Sequence, residues 1–361
     1  MQAEATTVKP TERQSHNDRV TDGGRSVSSS DEISFDLTSA ETEPLSKRER
    51  YEQIFKNWVY APLAIIWNDW RAKIGGLILL IYVAMGTVGV MLVEKPTGDG
   101  ARLLQPFENW AFPLGTDFSG RDLFGQIIHA TPAMLEMILA GAVFTTLVAT
   151  LIGTFTGYKG GYVDRVLIAI TDILMTLPGL PLVIVLAVIL EPSSPWAIGI
   201  LLSVNAWAGL ARTIRSQVLT IREENYVEAS RLMGTPTSAI IAKNILPGIM
   251  PYVAINFVNS GRRIIFSSVA LYFLGILPFT SLNWGVMLNA AYYGGAVFTP
   301  SMFHWLLVPT ITIVALSLAM TLFAQGMDRL FNPRVIARHT TPSDDVDTAD
   351  ESEEQITVQT P

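Results

Sequence analysis

Residues 264–327 read IIFSSVALYFLGILPFTSLNWGVMLNAAYYGGAVFTPSMFHWLLVPTITIVALSLAMTLFAQGM, and this stretch decides the fold class of the chain. It contains no Asp, Glu, Lys or Arg, and it is far longer than the roughly 20 residues with which one helix crosses a bilayer. A Gly- and Pro-containing polar stretch at 278–304 divides it. Because lipid leaves backbone groups without hydrogen-bond partners, unbroken apolar runs indicate helices. The stretch therefore predicts two membrane-spanning helices, at about 251–277 and 305–327.

The rest of the chain contains four more apolar runs. They cover residues 75–93, 137–158, 173–190 and 192–211, and the third begins nearer Val166, with Asp172 in its first turns. Hydrophobic residues make up 49% of the chain and charged residues 16%, which is unlike a soluble domain. We predict an all-α membrane protein with six transmembrane helices and a cytoplasmic helix-turn-helix between the fourth and fifth spans.

The two ends of the chain are polar. We expect residues 1–46 and the acidic tail at 335–361 to be disordered and solvated, since they lack the apolar surface that would offset ordering entropy. The segment 47–73 is rich in Tyr and Trp and predicts an interfacial helix region before the six-span domain at 74–334. No cleavable signal peptide is recognisable, and the absence of cysteine excludes disulfides.

The distribution of Lys and Arg predicts the orientation of the spans. With the N-terminus inside, the outer loops hold only Lys95, Arg102 and Arg121, whereas the inner flanks hold sixteen basic residues. Basic residues collect on the cytoplasmic side of a membrane. Both termini are therefore predicted to be cytoplasmic.

The longest inner loop, residues 212–247, predicts two helices joined by a tight turn. Residues 223–233 are good helix formers, and Gly234 follows where a left-handed residue is needed. Thr235 is suited to cap the second helix, Pro236 to its first position and Pro247 to its end. An amphipathic connector without a specific role is the alternative interpretation.

Particular residues of this loop favour a specific role. Glu228-Ala229-Ser230, Gly234 and Leu246-Pro247 resemble the cytoplasmic coupling motif of ABC-importer permeases, EAA-x3-G followed by a distal L-P. Two positions depart from that pattern: Ser230 replaces an alanine, and Asn244 stands where many members have an apolar residue. Neither departure changes the expected turn.

Further motifs resemble the oligopeptide/dipeptide (and nickel) permeases, specifically the second of their two paired transmembrane subunits. The resemblance covers about residues 67–334. The matching residues are Pro113-Leu114-Gly115-Thr116-Asp117, Gly120-Arg121-Asp122, Gly157-Tyr158, Gly160-Gly161, Asp164, Phe273-Leu274-Gly275, Trp284-Gly285, Met287-Leu288 and Asn332-Pro333-Arg334.

The resemblance implies a permease in a prokaryotic cell membrane, with a second homologous permease subunit, two cytoplasmic ATPase subunits and an extracytoplasmic solute-binding protein as partners. The helix after Gly234 would dock on an ATPase, and ATP-driven closure would switch the spans between inward-open and outward-open states. No GxxxxGK[ST] phosphate loop is present, so ATP and Mg²⁺ are expected to bind to the partners and the chain to be no enzyme. The substrate stays open among peptides, sugars and nickel, and we expect no nucleic-acid partner.

Arg262 and Arg263 lie inside the fifth apolar run, where an unpaired charge is costly. They either line a translocation cavity and attract a carboxylate-bearing or otherwise anionic substrate, or reach the inner interface. Ser268 stands where many members of the family have Glu, which changes the polar lining expected at that level.

Other residues have competing interpretations. For the outer loop Gly115, Thr116, Asp117, Gly120, Arg121 and Asp122, we favour a structural turn over a calcium loop, since its ligand spacing does not match an EF-hand. The scattered histidines predict no metal site, with His304 at the interface. Pro178 and Pro181 predict a kink in the third span, whether or not that helix lines the pathway. Glycines at 86, 89, 141, 153 and 157 predict close helix packing.

Two other classes of protein are less compatible with the sequence. A channel or secondary transporter with an ion relay would place ionisable residues in several spans, and the predicted spans hold only Asp172 and the two arginines. A membrane enzyme would need a nucleophile-and-base or metal constellation, which the loops do not show.

Overall fold

The structure, a computed structural model, describes residues 69–279 and 282–330. The predictions for 1–46, for most of 47–73, for the motif at 332–334 and for the tail at 335–361 lie outside these residues. The described helices are α1 (Trp70–Leu92), α2 (Leu123–Lys159), α3 (Gly161–Thr176), α4 (Gly179–Leu190), α5 (Pro195–Leu202), α6 (Ala206–Ile221), α7 (Asn225–Leu232), α8 (Thr237–Phe273), α9 (Trp284–Tyr293) and α10 (Phe303–Leu330).

Helices form the framework of the described chain. Among residues 69–279 and 282–330 there is no β-strand, and the bridge between Thr116 and Asp122 is isolated. α1, α2, α8 and α10 are each long and apolar enough to cross a membrane. α3 with α4 and α5 with α6 form bent pairs, and counting each pair as one span gives six. The all-α membrane class is confirmed, and six spans are obtained on that count.

The bend between α3 and α4 lies at Leu177 and Pro178 and measures 91°. Pro178 precedes the first residue of α4, with φ −65° and ψ 116°, an extended conformation that interrupts the helix. Pro181 lies inside the first turn of α4, where a missing N–H costs little. The predicted kink is therefore confirmed at Pro178. α5 and α6 meet at a second bend of 56°.

Several boundaries differ from the sequence prediction: α3 begins at Gly161 instead of near Val166, and α6 continues to Ile221 instead of ending at 211. α2 begins at Leu123 instead of about 137, because Asp122 caps its start by accepting hydrogen bonds from the N–H groups of Phe124 and Gly125. α8 begins at Thr237 instead of 251, so the inner loop and the fifth span share one helical rod. The stretch between the last two spans contains a helix, α9, where only a polar interruption was predicted.

A buried aromatic cluster holds α9 against the spans. Trp284 is fully buried, and its ring packs edge-on to Tyr82 of α1 with centroids 5.8 Å apart. The Trp284 indole N–H donates to the carbonyl of Ile127 in α2 at 3.4 Å, and the Tyr82 hydroxyl donates to the carbonyl of Thr312 in α10 at 2.7 Å. Each buried polar tip thus has a partner, as an apolar core requires.

Close glycine contacts bring the helices together. A Cβ on Gly153 of α2 would lie 2.6 Å from the carbonyl of Ala211 in α6, and one on Gly157 would lie 2.9 Å from the carbonyl of Arg215. Gly141 of α2 meets α5 and α8 in the same way. Small residues permit such approaches between membrane helices. The predicted packing role is confirmed at these three positions.

Candidate functional site

α7 and α8 meet at an exposed turn centred on Gly234. Gly234 has a φ of +75°, a left-handed conformation that residues with a Cβ rarely adopt. The N–H of Thr235 donates to the carbonyl of Ser230 at 3.1 Å, and the N–H of Gly234 donates to that of Arg231 at 3.0 Å. These bonds satisfy carbonyls at the end of α7. The predicted left-handed glycine is confirmed.

The start of α8 differs from the prediction by one residue. The helix begins at Thr237, and Pro236 occupies the cap position with a ψ of 144°. The carbonyl of Pro236 accepts hydrogen bonds from the N–H groups of Ala239 and Ile240, and no side chain caps the helix. The assignments of Thr235 as cap and Pro236 as first helical residue are wrong, because the proline ring fixes φ and leaves ψ free to be extended.

Pro247 does not end the second helix, which is a further correction. α8 continues from Thr237 to Phe273, and residues Ile241–Ile245 form a π-helical segment just before Leu246 and Pro247. A proline inside a regular helix removes one N–H and crowds the carbonyl four residues earlier. The wider π segment changes the hydrogen-bond register at this point, so the helix continues past Pro247.

The two residues that depart from the motif contact each other. The amide nitrogen of Asn244 donates to the hydroxyl of Ser230 at 2.9 Å, and that hydroxyl donates to the carbonyl of Tyr226 at 2.9 Å. This chain of hydrogen bonds ties α7 to α8 across the turn. An alanine at position 230 would have no hydroxyl for Asn244, so the two departures are explained together.

Buried apolar residues fix this region, residues 225–247, to the spans; we call it the coupling segment. Val227 of α7 and Ile240 and Ile245 of α8 are buried in one cluster with Ile214 and Val218 of α6. At the tip the pattern reverses: Leu232 is 83% exposed and Met233 is 77% exposed, although both are large and apolar. The coupling segment therefore has an anchored base and an exposed apolar tip.

A groove of about 830 Å³ separates the coupling segment from the end of α2. Glu228, Arg231 and Thr235 line one side, and Tyr158 and Lys159 line the other. The Arg231 guanidinium lies 5.7 Å from the Tyr158 ring centroid, a cation–π distance. Of the predicted coupling residues, Glu228, Ala229, Gly234 and Pro236 are exposed, whereas Leu246 is partly buried and packs against the apolar cluster at the base.

Two ion pairs join α3 to α6, the helix that leads into the coupling segment. Arg215 binds Asp164 in a two-pronged arrangement, with N–O distances of 2.9 and 2.8 Å, and both side chains are partly buried. Arg212 binds Asp172 at 3.0 Å in a more exposed position. A paired arginine fork holds a defined geometry, so α3 and α6 are held together at two levels.

The outer loop folds around Asp117, whose side chain is only 1% exposed. Its carboxylate accepts hydrogen bonds from the N–H groups of Ser119 and Arg121, from the Arg121 guanidinium at 2.8 Å and from the Gln126 amide at 3.1 Å. Gly120 has a φ of +76° and closes the turn. The carboxylate oxygens of Asp117 are thus occupied by N–H donors.

The neighbouring residues tie this loop to two helices. The Thr116 hydroxyl donates to the carbonyl of Ala101 at 2.6 Å, and His304 Nε2 lies 3.2 Å from the carbonyl of Thr116. A Cβ on Gly115 would collide with Leu104 and His304, so this position excludes larger residues. Partial burial raises the pKa of the Asp122 carboxyl, against the lowering effect of its two N–H hydrogen bonds at the start of α2.

We expect Asp117→Asn to destabilise the protein by about 3 kcal/mol, because the substitution removes a buried charge and points an N–H₂ group at N–H donors. The thermal midpoint of the purified protein in detergent measures the effect. Asp99→Asn is the matched control, since Asp99 is an exposed aspartate of the same outer loop. Equal midpoints for the two variants would contradict a supporting role for Asp117.

A cavity of about 280 Å³ lies between the two bent pairs and α8, and we call it the membrane cavity. Arg263 and Ser267 of α8 line it, together with Asn205 at the α5–α6 bend and Gly179 at the start of α4. Of the predicted cavity residues, Arg263 is thus the one on this wall. Ser268 points elsewhere: it is fully buried, and its hydroxyl donates to the carbonyl of Ile265 at 3.0 Å. Arg262 is half-buried and does not line this cavity.

Comparison with known proteins decides the family. The family of binding-protein-dependent transport system inner membrane components matches residues 149–337. The dipeptide transport system permease protein DppC of Bacillus subtilis (strain 168) is 32% identical over 275 residues, which cover 73% of this chain and 82% of that protein. The chain belongs to this family. The permease is also 29% identical to the oligopeptide transport system permease protein OppC of the same organism, over 63% of this chain and 77% of OppC.

As a member of this family, the chain is the inner-membrane permease component of an ABC importer and not a catalytic enzyme. Among residues 69–279 and 282–330, no group of three or more His, Cys, Asp or Glu side chains is arranged to hold a metal ion.

Sequence reasoning missed several features of this permease. Glu136 lies inside α2, although the second span was predicted to begin one residue after it. No periodic hydrophobic pattern in the sequence marks Leu232 and Met233 as exposed, because their exposure depends on the geometry of the turn. A helical spacing did offer a signal in α8, where Asn256, Asn259, Arg263 and Ser267 recur at intervals of three and four residues and so share one face.

Proposed function

We propose that this permease forms part of the membrane pathway for oligopeptides or dipeptides and transmits ATP-driven closure through its coupling segment. It would work with a second homologous permease subunit, two cytoplasmic ATPase subunits that bind ATP and Mg²⁺, and an extracytoplasmic solute-binding protein. The peptide relatives and the family support this assignment. Sugars or nickel are the alternative cargoes for the same machinery.

The exposed tip of the coupling segment is the observation that carries the proposal. Leu232 and Met233 directly precede Gly234 and expose more than three quarters of their surface, while Val227 and Ile240 anchor the base of the segment. An apolar tip on a rigid base is suited to insert into a groove on a partner. Glu228 and Arg231, on the adjacent groove, add charge that would fix the orientation of the partner.

The connections of the coupling segment support a mechanical role. α8 runs without interruption from Thr237 beside the tip to Phe273, so displacement of the tip would move a whole span. The ion pairs of Arg212 and Arg215 join α6 to α3, so the bent third span would move with it. A packed network of this kind converts a local displacement into a rigid-body motion.

We assign both termini and the coupling segment to the cytoplasm on the charge distribution of the loops. The turn around Asp117 would then face the solute-binding protein. In this arrangement the interfacial region 47–73, the six-span domain 74–334 and the two polar ends follow one another along the chain.

Cross-linking tests the docking of the tip. A benzophenone amino acid at Leu232, introduced in the full complex, should cross-link to an ATPase subunit on illumination. Phe298 is the matched control, because it is apolar and also 83% exposed but lies between α9 and α10, far along the chain from the coupling segment. A complex that copurifies with its ATPases but cross-links equally from both positions, or from neither, would refute the docking proposal.

Uptake into proteoliposomes tests the cargo. With its own solute-binding protein and internal ATP, the complex should accumulate labelled tri-alanine, and excess Ni²⁺ or maltose should not compete. Accumulation of Ni²⁺ or maltose in place of tri-alanine would replace the peptide assignment by the corresponding alternative.

A further inference from the structure

Arg263 lies inside α8, ten residues before the end of that helix at Phe273. Its neighbour Ile264 packs against Gly141 of α2, and Gly141 is 18 residues from each end of that helix (141 − 123 and 159 − 141). At about 1.5 Å per residue, each end of α2 is therefore about 27 Å away. A charged side chain within an apolar span is costly unless neighbouring groups satisfy it, so the groups around Arg263 matter.

The local surroundings of Arg263 are mostly apolar and contain no counter-charge. Within residues 69–279 and 282–330, no Asp or Glu side chain lies within ion-pair distance of its guanidinium. The membrane cavity instead places Asn205 and Ser267 beside it, among apolar residues of α4 and α5. A cationic group in an otherwise neutral cavity is an incomplete electrostatic arrangement, which an anionic ligand would complete.

Two wall residues of the membrane cavity lie at the bends between α3 and α4 and between α5 and α6. Gly179 begins α4 after the 91° bend, and Asn205 lies at the bend between α5 and α6. The Asn205 amide rests against Gly179, since a Cβ there would lie 2.9 Å from its Nδ2. Irregular backbone at membrane depth is tolerated where it lines a cavity, and binding sites of transporters are built from such helices.

We propose that Arg263, with Asn205 and Ser267, forms a subsite in the membrane cavity that binds one carboxylate group of the transported substrate. A guanidinium presents parallel N–H donors that match a carboxylate, and its hydrogen bonds to an anion are charge-assisted. The cavity, at about 280 Å³, accommodates the end of a peptide and not a long chain. This proposal rests on the proposed transport of peptides.

The carboxylate has two possible sources, the peptide C-terminus and an acidic side chain. The polar face of α8 continues from Ser267 through Arg263 to Asn259 and Asn256, toward the coupling segment. Arg263 is the charged member of that face, so it selects the anionic group, and the asparagines contact the remaining polar atoms of the substrate.

Protection of a single cysteine tests the subsite without depending on delivery by the solute-binding protein. The chain contains no cysteine, so Ser267→Cys gives this subunit one thiol inside the membrane cavity. In the purified full complex, tri-alanine should slow labelling of this thiol by a small methanethiosulfonate at least tenfold, and its C-terminal amide should not. The protection given by Ala-Glu-Ala amide is compared with that given by Ala-Gln-Ala amide. A difference between them would show that a side-chain carboxylate is bound instead.

Added substitutions identify the arginine responsible. In the Ser267→Cys background, Arg263→Gln should abolish the protection and Arg263→Lys should retain part of it, because lysine keeps the charge but lacks the fork. Arg262→Gln is the matched control and should leave the protection intact. Equal protection by acids and amides, absence of protection, or protection that survives Arg263→Gln would overturn the subsite. Uptake by wild-type proteoliposomes separates the two proposals. If they accumulate tri-alanine, any of these three outcomes refutes the subsite but not peptide transport. If they do not accumulate it, the peptide assignment itself is refuted.

Discussion

Gly234→Ala should reduce ATP-driven uptake severalfold, and Gly234→Val should reduce it more than tenfold. Gly234 has a φ of +75°, and a side chain in that conformation costs about 1–2 kcal/mol. No atom lies within 4 Å of a Cβ built on Gly234, so the penalty comes from the backbone and not from a collision. The turn would open, and the angle between α7 and α8 at the tip would change. Uptake of tri-alanine, with the amount of assembled complex measured in parallel, reports the effect.

Two variants control for the loss of a glycine as such. Gly209 of α6 also has no atom within 4 Å of a built Cβ, but its φ is not positive, so Gly209→Ala should leave uptake unchanged. Gly234→Asn should retain more activity than Gly234→Ala, because asparagine tolerates the left-handed conformation. Full uptake by Gly234→Val would contradict the role assigned to the turn.

Gly141→Val should prevent most of the protein from reaching a folded state. A Cβ at this position would collide with the side chains of Ile264 and Ser203 and with the carbonyl of Gly199, so three helices would have to separate. Overpacking of this kind costs about 1–3 kcal/mol, and more where backbone atoms must move. The yield of monodisperse protein in detergent and its thermal midpoint measure the loss.

Gly76→Val is the matched control for this packing prediction. Gly76 of α1 also lies in a membrane helix, but the nearest atoms to a built Cβ are those of the Phe323 ring, at 3.8 Å. Its yield and thermal midpoint should stay close to the wild type. A folded and stable Gly141→Val protein would show that α2, α5 and α8 are not held at this crossing.

The sequence was most informative where a single local property decides the structure. A run without charges requires a helix in lipid whatever its neighbours are, so the runs at 75–93 and 305–327 located α1 and α10 closely. Gly234 and Pro178 follow the same logic, since a glycine after a helix and a proline inside one restrict the backbone by themselves.

The sequence was less informative where a residue depends on contacts. Asp122 caps α2 and extends it outward past Glu136, which a search for uncharged runs treats as a boundary. Pro247 suggests a helix end, but the π segment before it lets α8 continue. In the sequence, Ser230 and Asn244 are two unrelated departures from a motif. Only the fold shows that the Asn244 amide nitrogen lies 2.9 Å from the Ser230 hydroxyl.

By itself, the sequence determined that this chain crosses a membrane through helices, that the segment 212–247 turns at Gly234, and that its motifs are those of an importer permease. Only the tertiary structure decided that Arg263 lines a cavity, whereas Ser268 packs into the core five residues later. The physical reason is that hydropathy and backbone restriction are properties of a segment, whereas the depth and surroundings of a side chain depend on which helices lie beside it.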